Sequence, residues 1–232
     1  MPALQLTDLE WEAIRLSLRV AFFSVAGSLP FGIAVAWLLA RRAFPGKTLV
    51  DGLVHVPLVV PPVVVGYALL VLFGRRGLIG AWLYDYLGIT VIFTWKGAAL
   101  AAAVMAFPLM VRAIRLSLEA VDRKLEAAAR TLGARPFDVF MSVTLPLALP
   151  GVLVGVVLAF ARSLGEFGAT IIFVGNIPGQ TRTLPIAIYT LTQQPDGDLA
   201  ALRLSIISLV LALAALVASE VLARRIDRQI HG

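Results

Sequence analysis

Apolar residues fall into five long runs, at 12–40, 49–73, 95–111, 145–165 and 199–223, with short polar interruptions between them. A helix that crosses a bilayer needs about 20 mostly apolar residues. The pattern predicts an all-α integral membrane protein of about five transmembrane helices, organised as one domain over 1–232. The stretch 77–93 is apolar only in patches and is interrupted by Asp85 and Gly88. It is expected to lie as an interfacial segment on the outer side. Thr7 with Glu10 three residues on has the spacing of a capping box and opens the first helix. Arg15 and Arg19 lie near the outer end of that helix, where long basic side chains can snorkel.

The second run contains "HVPLVVPPVVVG", which places Pro57, Pro61 and Pro62 inside it. Each proline removes a backbone donor and crowds the preceding turn, so a kink or a break is predicted. In a membrane, the freed carbonyls need neighbouring protein or a water-filled cavity. Discontinuous helices are frequent in transporters. Two readings stay open for Pro61 and Pro62: part of a pathway or gate, or a bend that only shapes packing.

Of 232 residues, 59% are hydrophobic and 15% charged, far from the soluble norm of about half and a quarter. With no cysteine, disulfides and thiolate metal sites are excluded, and His55 and His231 are far apart. No metal and no cofactor are expected. A net charge of +6 in a soluble protein would suggest nucleic acid. Here the basic residues flank apolar runs, as cytoplasmic loops do, so the expected partner is the lipid bilayer and no nucleic acid. Arg41, Arg42 and Lys47 follow the first run; Arg112, Arg115, Arg123, Lys124, Arg130 and Arg135 lie between the third and fourth; Arg224, Arg225 and Arg228 follow the fifth. All three clusters share the cytoplasmic side if the N-terminus is outside and the C-terminus inside. Arg75, Arg76, Lys96 and Arg182 are the opposing minority. The start, "MPALQLTDLEWEA", is acidic and lacks a short apolar core, so no cleavable signal peptide is expected.

"FPGKT" at 44–48 imitates the end of a phosphate-binding loop, but Arg41 stands where such a loop needs glycine, and a membrane helix precedes it rather than a strand. The chain is therefore expected to hold no nucleotide site and not to be an enzyme; any ATP chemistry belongs to a partner. The polar island "EAAARTLGARPFDVFMSVTLP" at 126–146 is more informative. "LEAAARTLGA" is rich in strong helix formers, Gly133 stands where a helix would end, and Pro136 resists continuation. A second short helix over 137–144 is expected to lead to Pro146, where the chain re-enters the membrane. Composition alone also permits a solvated amphipathic connector.

Glu126-Ala127-Ala128, then Gly133, then "TLPLALPG" resembles the acidic-Ala-Ala signature of ABC importer permease subunits. The resemblance implies a type I ABC importer permease fold whose segment 122–144 forms cytoplasmic coupling helices that dock on a partner ATPase. It implies coupling roles for Glu126, Ala127, Ala128, Arg130, Gly133, Leu145 and Pro146. Glu126 would orient the helix, Gly133 would permit the turn, and the surface around 127–134 would meet the partner. Short helices joined directly to spans transmit a displacement that a flexible loop would absorb.

The fourth run continues into "FARSLGEFGATIIFVGNIPGQTRTLP" at 160–185. Arg162 and Glu166 are four residues apart and can pair on one helix face. Ionisable residues at membrane depth usually face a cavity or the bundle interior. A bare carboxylate would repel an anion, so pairing suits anion passage. Arg162, Ser163 and Glu166 join Pro61 and Pro62 as pathway or gate candidates, with Glu166 open between that role and a structural brace. "SLGEFGAT" at 163–170, "FPGK" at 44–47, "VPLVVPPVVVGY" at 56–67 and "GRRGLIG" at 74–80 resemble the molybdate branch of the oxyanion permeases. This implies import of molybdate across a bacterial inner membrane, with sulfate or tungstate as alternatives, because sulfate permeases share the Gly-Glu-Phe-Gly core.

Some of these relatives carry a further N-terminal span, and the short stretch before Trp11 favours five. Five helices are too few to enclose a passage for a hydrated dianion. A homodimer with the pathway on its two-fold axis is therefore expected, with two copies of a cytoplasmic ABC ATPase and a periplasmic oxyanion-binding protein. A secondary transporter would show an internal repeat of its spans, which this sequence lacks. A membrane enzyme needs a catalytic constellation, and Arg162 with Glu166 is all that approaches one.

Overall fold

A computed structural model describes residues 6–231, with side chains up to residue 218 and at Val221. The side chains of Arg224, Arg225 and Arg228, and residues 1–5 of the N-terminal segment, lie outside the described part. Helix α1 spans Asp8–Arg41. Its start is a complete capping box: the Glu10 carboxylate accepts from Thr7 N at 2.7 Å while the Thr7 hydroxyl accepts from Glu10 N at 3.4 Å. There follow α2 (Lys47–Val59), α3 (Pro62–Phe73), α4 (Leu78–Leu87) and α5 (Trp95–Ala120). Then come α6 (Arg123–Thr131), α7 (Pro136–Val139), a π-helical turn (Phe140–Thr144) and α8 (Leu145–Leu164). The chain ends with α9 (Gly168–Val174), α10 (Leu184–Thr192) and α11 (Asp198–His231).

Among the described residues, four helical segments are long and apolar enough to cross a membrane: α1, α5, α7 with α8, and the start of α11. The expected second span is two helices, α2 and α3, bent by 113°. Pro57 lies inside α2, and the break falls at Val60 and Pro61. Pro62 opens α3 in its first turn, where a missing N–H costs nothing. The third expected span does not stop near 111. It runs on to Ala120 because Ile114 and Leu118, at helical spacing, are both fully buried.

The core is α5 packed between α1 and α8. Met110, Val111, Ile114 and Leu118 of α5 meet Ala36 and Leu39 of α1 and Ala148, Val152 and Ala159 of α8. Gly151 and Gly155 let α8 approach closely. A Cβ at Gly151 would come within 2.1 Å of Ser117 Cβ, and one at Gly155 within 3.0 Å of Met110 O. A second cluster joins α5 to α9 through Ala98, Ala101, Phe173 and Val174. A third joins α1, α10 and α11 through Ile14, Leu184 and Leu204. Beyond Leu204, α11 turns Ile206, Leu209, Val210, Leu213 and Val217 outward, an apolar surface suited to lipid contact.

Candidate functional site

The polar island folds into an elbow beneath the helix bundle. Asp122 caps α6, its carboxylate accepting from Lys124 N at 2.9 Å. Gly133 ends the helix with φ +90°, so that Gly133 N donates to Arg130 O at 3.0 Å and Ala134 N to Ala129 O at 3.2 Å. The segment expected as a second, separate short helix is instead continuous with the following span. Its first turn is α7, and a π turn joins it to α8, with Leu145 N bonded to Phe140 O. Pro146 has no N–H to give to the turn below it, and the widened turn stands immediately ahead of it. Leu145 is half-buried and packs against the core, whereas Pro146 is exposed.

Glu126 is turned inward from the elbow. Its carboxylate lies 2.8 Å from Arg41 Nη2 at the end of α1 and accepts from Thr144 Oγ1 at 2.8 Å. Arg41 also donates to Val121 O at 3.3 Å, at the end of α5. Both side chains of the pair are largely buried, at 8% and 13% exposure. One carboxylate thus ties α6 to α1 and to the π turn. Ala127, Ala128 and Arg130 of α6 are exposed, as are the nearby apolar residues Leu125, Leu132 and Phe137. Gly46, the glycine of "FPGKT", has φ +85° and precedes α2, so the motif joins two helices.

The second candidate region lies where α8 ends. Glu166 Oε2 is 2.7 Å from Arg162 Nη1, and Glu166 Oε1 accepts from Ala169 N at 2.8 Å. The Thr170 hydroxyl donates to Glu166 O at 3.1 Å. At 2% exposure, this carboxylate is neutralised by one arginine and caps α9, so it stitches the break between α8 and α9. Ser163 is buried, its hydroxyl 3.0 Å from that of Ser24 on α1. The break between α2 and α3 packs against the same place. A Cβ at Gly168 would come within 2.8 Å of Pro62 Cβ, and one at Gly66 within 2.5 Å of Ala169 O. Pro62, Ser163 and Glu166 therefore belong to one crossing of two interrupted helices, while Pro61 is exposed.

Sequence reasoning passed over four members of these sites: Arg41 as the partner of Glu126, Thr144, Ser24 and Gly66. Only Gly66 carried a local signal, as the one glycine within the apolar helix α3.

Long apolar helices, a doubly interrupted crossing and a polar elbow make up a multi-pass membrane protein with the type I ABC importer permease fold. The sequence family described as binding-protein-dependent transport system inner membrane component matches residues 28–228, and the chain belongs to it. Over 219 residues the chain is 66% identical to the molybdenum transport system permease protein ModB of Escherichia coli K12, covering 94% of this chain and 96% of that one. The protein of the same name from Haemophilus influenzae is 56% identical over 222 residues, covering 96% and 97%. A sulfate transport system permease protein, CysW of Synechococcus elongatus, is 41% identical over 221 residues, covering 94% and 76%. Among solved structures, a bacterial ABC transporter involved in the import of alginate matches with a TM-score of 0.75 at 18% identity, covering 95% and 80%. The MetNI methionine ABC transporter matches with 0.65 at 17% identity, covering 94% of each chain. These two likenesses establish the fold.

Proposed function

We propose that this chain is the membrane-spanning permease subunit of an ATP-driven molybdate importer. The observation that carries the substrate is the 66% identity over 94% of the chain to a molybdenum transport permease, against 41% for a sulfate permease. Sulfate or tungstate transport is the second reading, and the likeness to the sulfate permease, over 94% of this chain and 76% of that one, supports the sulfate part.

In this reading the elbow is the coupling element. Glu126 fixes it to the spans, Gly133 sets its turn, and Ala127, Ala128, Arg130 and the nearby exposed apolar residues form the face for a cytoplasmic ATPase. Leu145 and Pro146 carry its motion into α8, and the nucleotide is hydrolysed by the partner alone. The chain works as a homodimer with two ATPase copies and a periplasmic oxyanion-binding protein, its N-terminus outside and C-terminus in the cytoplasm. The crossing of α3 with the α8–α9 break is the gate region, because interrupted helices free backbone groups beside a passage.

The test is uptake of labelled molybdate into proteoliposomes that hold this chain, its ATPase and its binding protein. Excess unlabelled molybdate is expected to abolish the signal, and equal sulfate to leave most of it. Stronger competition by sulfate moves the chain to the sulfate branch. ATP hydrolysis by the purified chain alone would contradict the assignment.

A further inference from the structure

The segment between α9 and α10, residues 175–183, is built more tightly than a connection requires. Ile177 O accepts from Gln180 N, Thr181 N and Arg182 N at 3.1, 2.9 and 3.2 Å. The Thr181 side chain is fully buried, its hydroxyl accepting from Ile177 N at 2.9 Å and donating to Gly175 O at 3.2 Å. Leu184 N donates to the Ser17 hydroxyl of α1 at 2.6 Å, which fixes the far end of the segment. From Ser17 to Arg41, α1 rises roughly 36 Å at ~1.5 Å per residue, so this segment and the elbow stand at opposite ends of the molecule.

On this rigid turn stands Arg182. Its Nε donates to Asn176 Oδ1 at 2.7 Å, and Asn176 Nδ2 donates to Thr190 Oγ1 at 2.9 Å, which anchors the amide to α10. Arg41, Arg115, Arg162 and Arg203 each pair with a carboxylate. Arg182 is oriented by a neutral amide, no carboxylate among the described residues pairs with it, and its two terminal nitrogens bond no described residue. A guanidinium fixed through Nε presents its remaining N–H groups as a planar fork, the geometry that grips a tetrahedral oxyanion in a bidentate way. Glu12 approaches the same turn, its carboxylate against Gly179, and forms no ion pair with Arg182 among the described residues. Next to Thr190 on α10, Tyr189 contacts Phe167, the residue after Glu166, with ring centroids 5.2 Å apart. Asn176 and α10 thus link Arg182 to the neighbourhood of the Arg162–Glu166 break.

We propose that Arg182 is an oxyanion-receiving residue at the outer mouth, positioned by Asn176 and Thr190, which takes the dianion before it reaches the crossing. This rests on the oxyanion-permease reading. An arginine that only docked the binding protein would belong to a different mechanism, and the test separates the two.

The experiment uses the whole complex in proteoliposomes, with labelled molybdate and the R182Q, R182K and N176A variants. Loss of one charge-assisted contact is expected to lower uptake by R182Q about tenfold. Docking of the binding protein and the ATP hydrolysis it stimulates should stay at wild-type levels. R182K should recover part of the uptake, since it restores charge without the fork, and N176A should fall between wild type and R182Q. Unchanged uptake by R182Q beside an active wild type overturns this proposal alone. So does an equal loss of docking measured with oxyanion-free binding protein. A wild-type complex that moves no oxyanion overturns this proposal together with the reading beneath it. Should R182Q fail to assemble, R182K, which keeps the charge, carries the test: full wild-type uptake by it would remove the need for a fork.

Discussion

Arg41, in the last turn of α1, and Glu126, in the first turn of α6, meet at 2.8 Å in a largely buried ion pair. The same carboxylate takes a hydrogen bond from Thr144, at the foot of α8. The position of the elbow is therefore set by a side-chain contact as well as by the chain that connects it.

Removing one partner from such a pair leaves the other charge uncompensated, at a cost of about 3 kcal/mol. Glu126→Lys sets two cations against each other and is expected to keep membrane insertion while losing co-purification of the ATPase. Complex yield on an affinity column reads this out. Wild-type yield would show that the pair does not place the docking face.

Gly133 holds φ +90°, and its N–H is bonded to Arg130 O. Gly133→Pro forbids that φ and deletes the donor, which costs roughly 3 kcal/mol or more in the elbow alone. Gly27→Ala, at a site with open space around it, is the control. The first is expected to abolish ATPase co-purification and the second to leave it unchanged.

Where α3 crosses α9, Gly66 faces backbone rather than side chain: an added Cβ would lie 2.5 Å from Ala169 O and 2.9 Å from its Cα. Backbone cannot rotate away, so Gly66→Ala should cost about 1–3 kcal/mol through overpacking. Gly165→Ala, with nothing within 4 Å, should cost far less. Thermal denaturation in one detergent, with the variants side by side, decides this. Equal midpoints would mean that the crossing is loose.

Glu166 caps α9 as well as pairing with Arg162. Glu166→Gln keeps an oxygen for the Ala169 amide but turns its NH2 toward Arg162, so it retains the cap, loses the pair and is expected to have a midpoint between wild type and Glu166→Ala. Glu166→Ala loses cap and pair together and should be less stable by about 3 kcal/mol. If transport fails in the glutamine variant while its fold holds, the charge itself serves passage. If transport survives, the carboxylate is a brace.

The sequence made visible what is periodic or local. The apolar runs marked the long helices, and the prolines at 57, 61 and 62 marked an interruption, though not which of them would cause it. Pro57 was absorbed by α2, and Pro61 and Pro62 formed the corner. The Arg162–Glu166 pair was legible from its spacing of four. The elbow was legible as a helix, a glycine and a proline, but its second piece merged with α8 because Pro136 only starts a helix and nothing after it stops one. The links Arg41–Glu126, Ser24–Ser163 and Arg182–Asn176–Thr190 join separate elements or span a loop. No periodicity in one segment encodes its partner in another. The lower half of α5 was missed because its polar exposed side masked a buried stripe of Ile114 and Leu118.

Helix α1 touches both ends of this machine. Ser17 holds the Arg182 turn, Arg41 holds the elbow, and Pro30 interrupts the hydrogen bonding near the middle. A rod of 34 residues is about 50 Å long, so a tilt of about 5° around its centre carries each tip roughly 2 Å, in opposite directions. As long as the helix stays straight across Pro30, such a see-saw moves the Ser17 and Arg41 contacts in opposite directions, so a shift at the elbow is felt at the far turn.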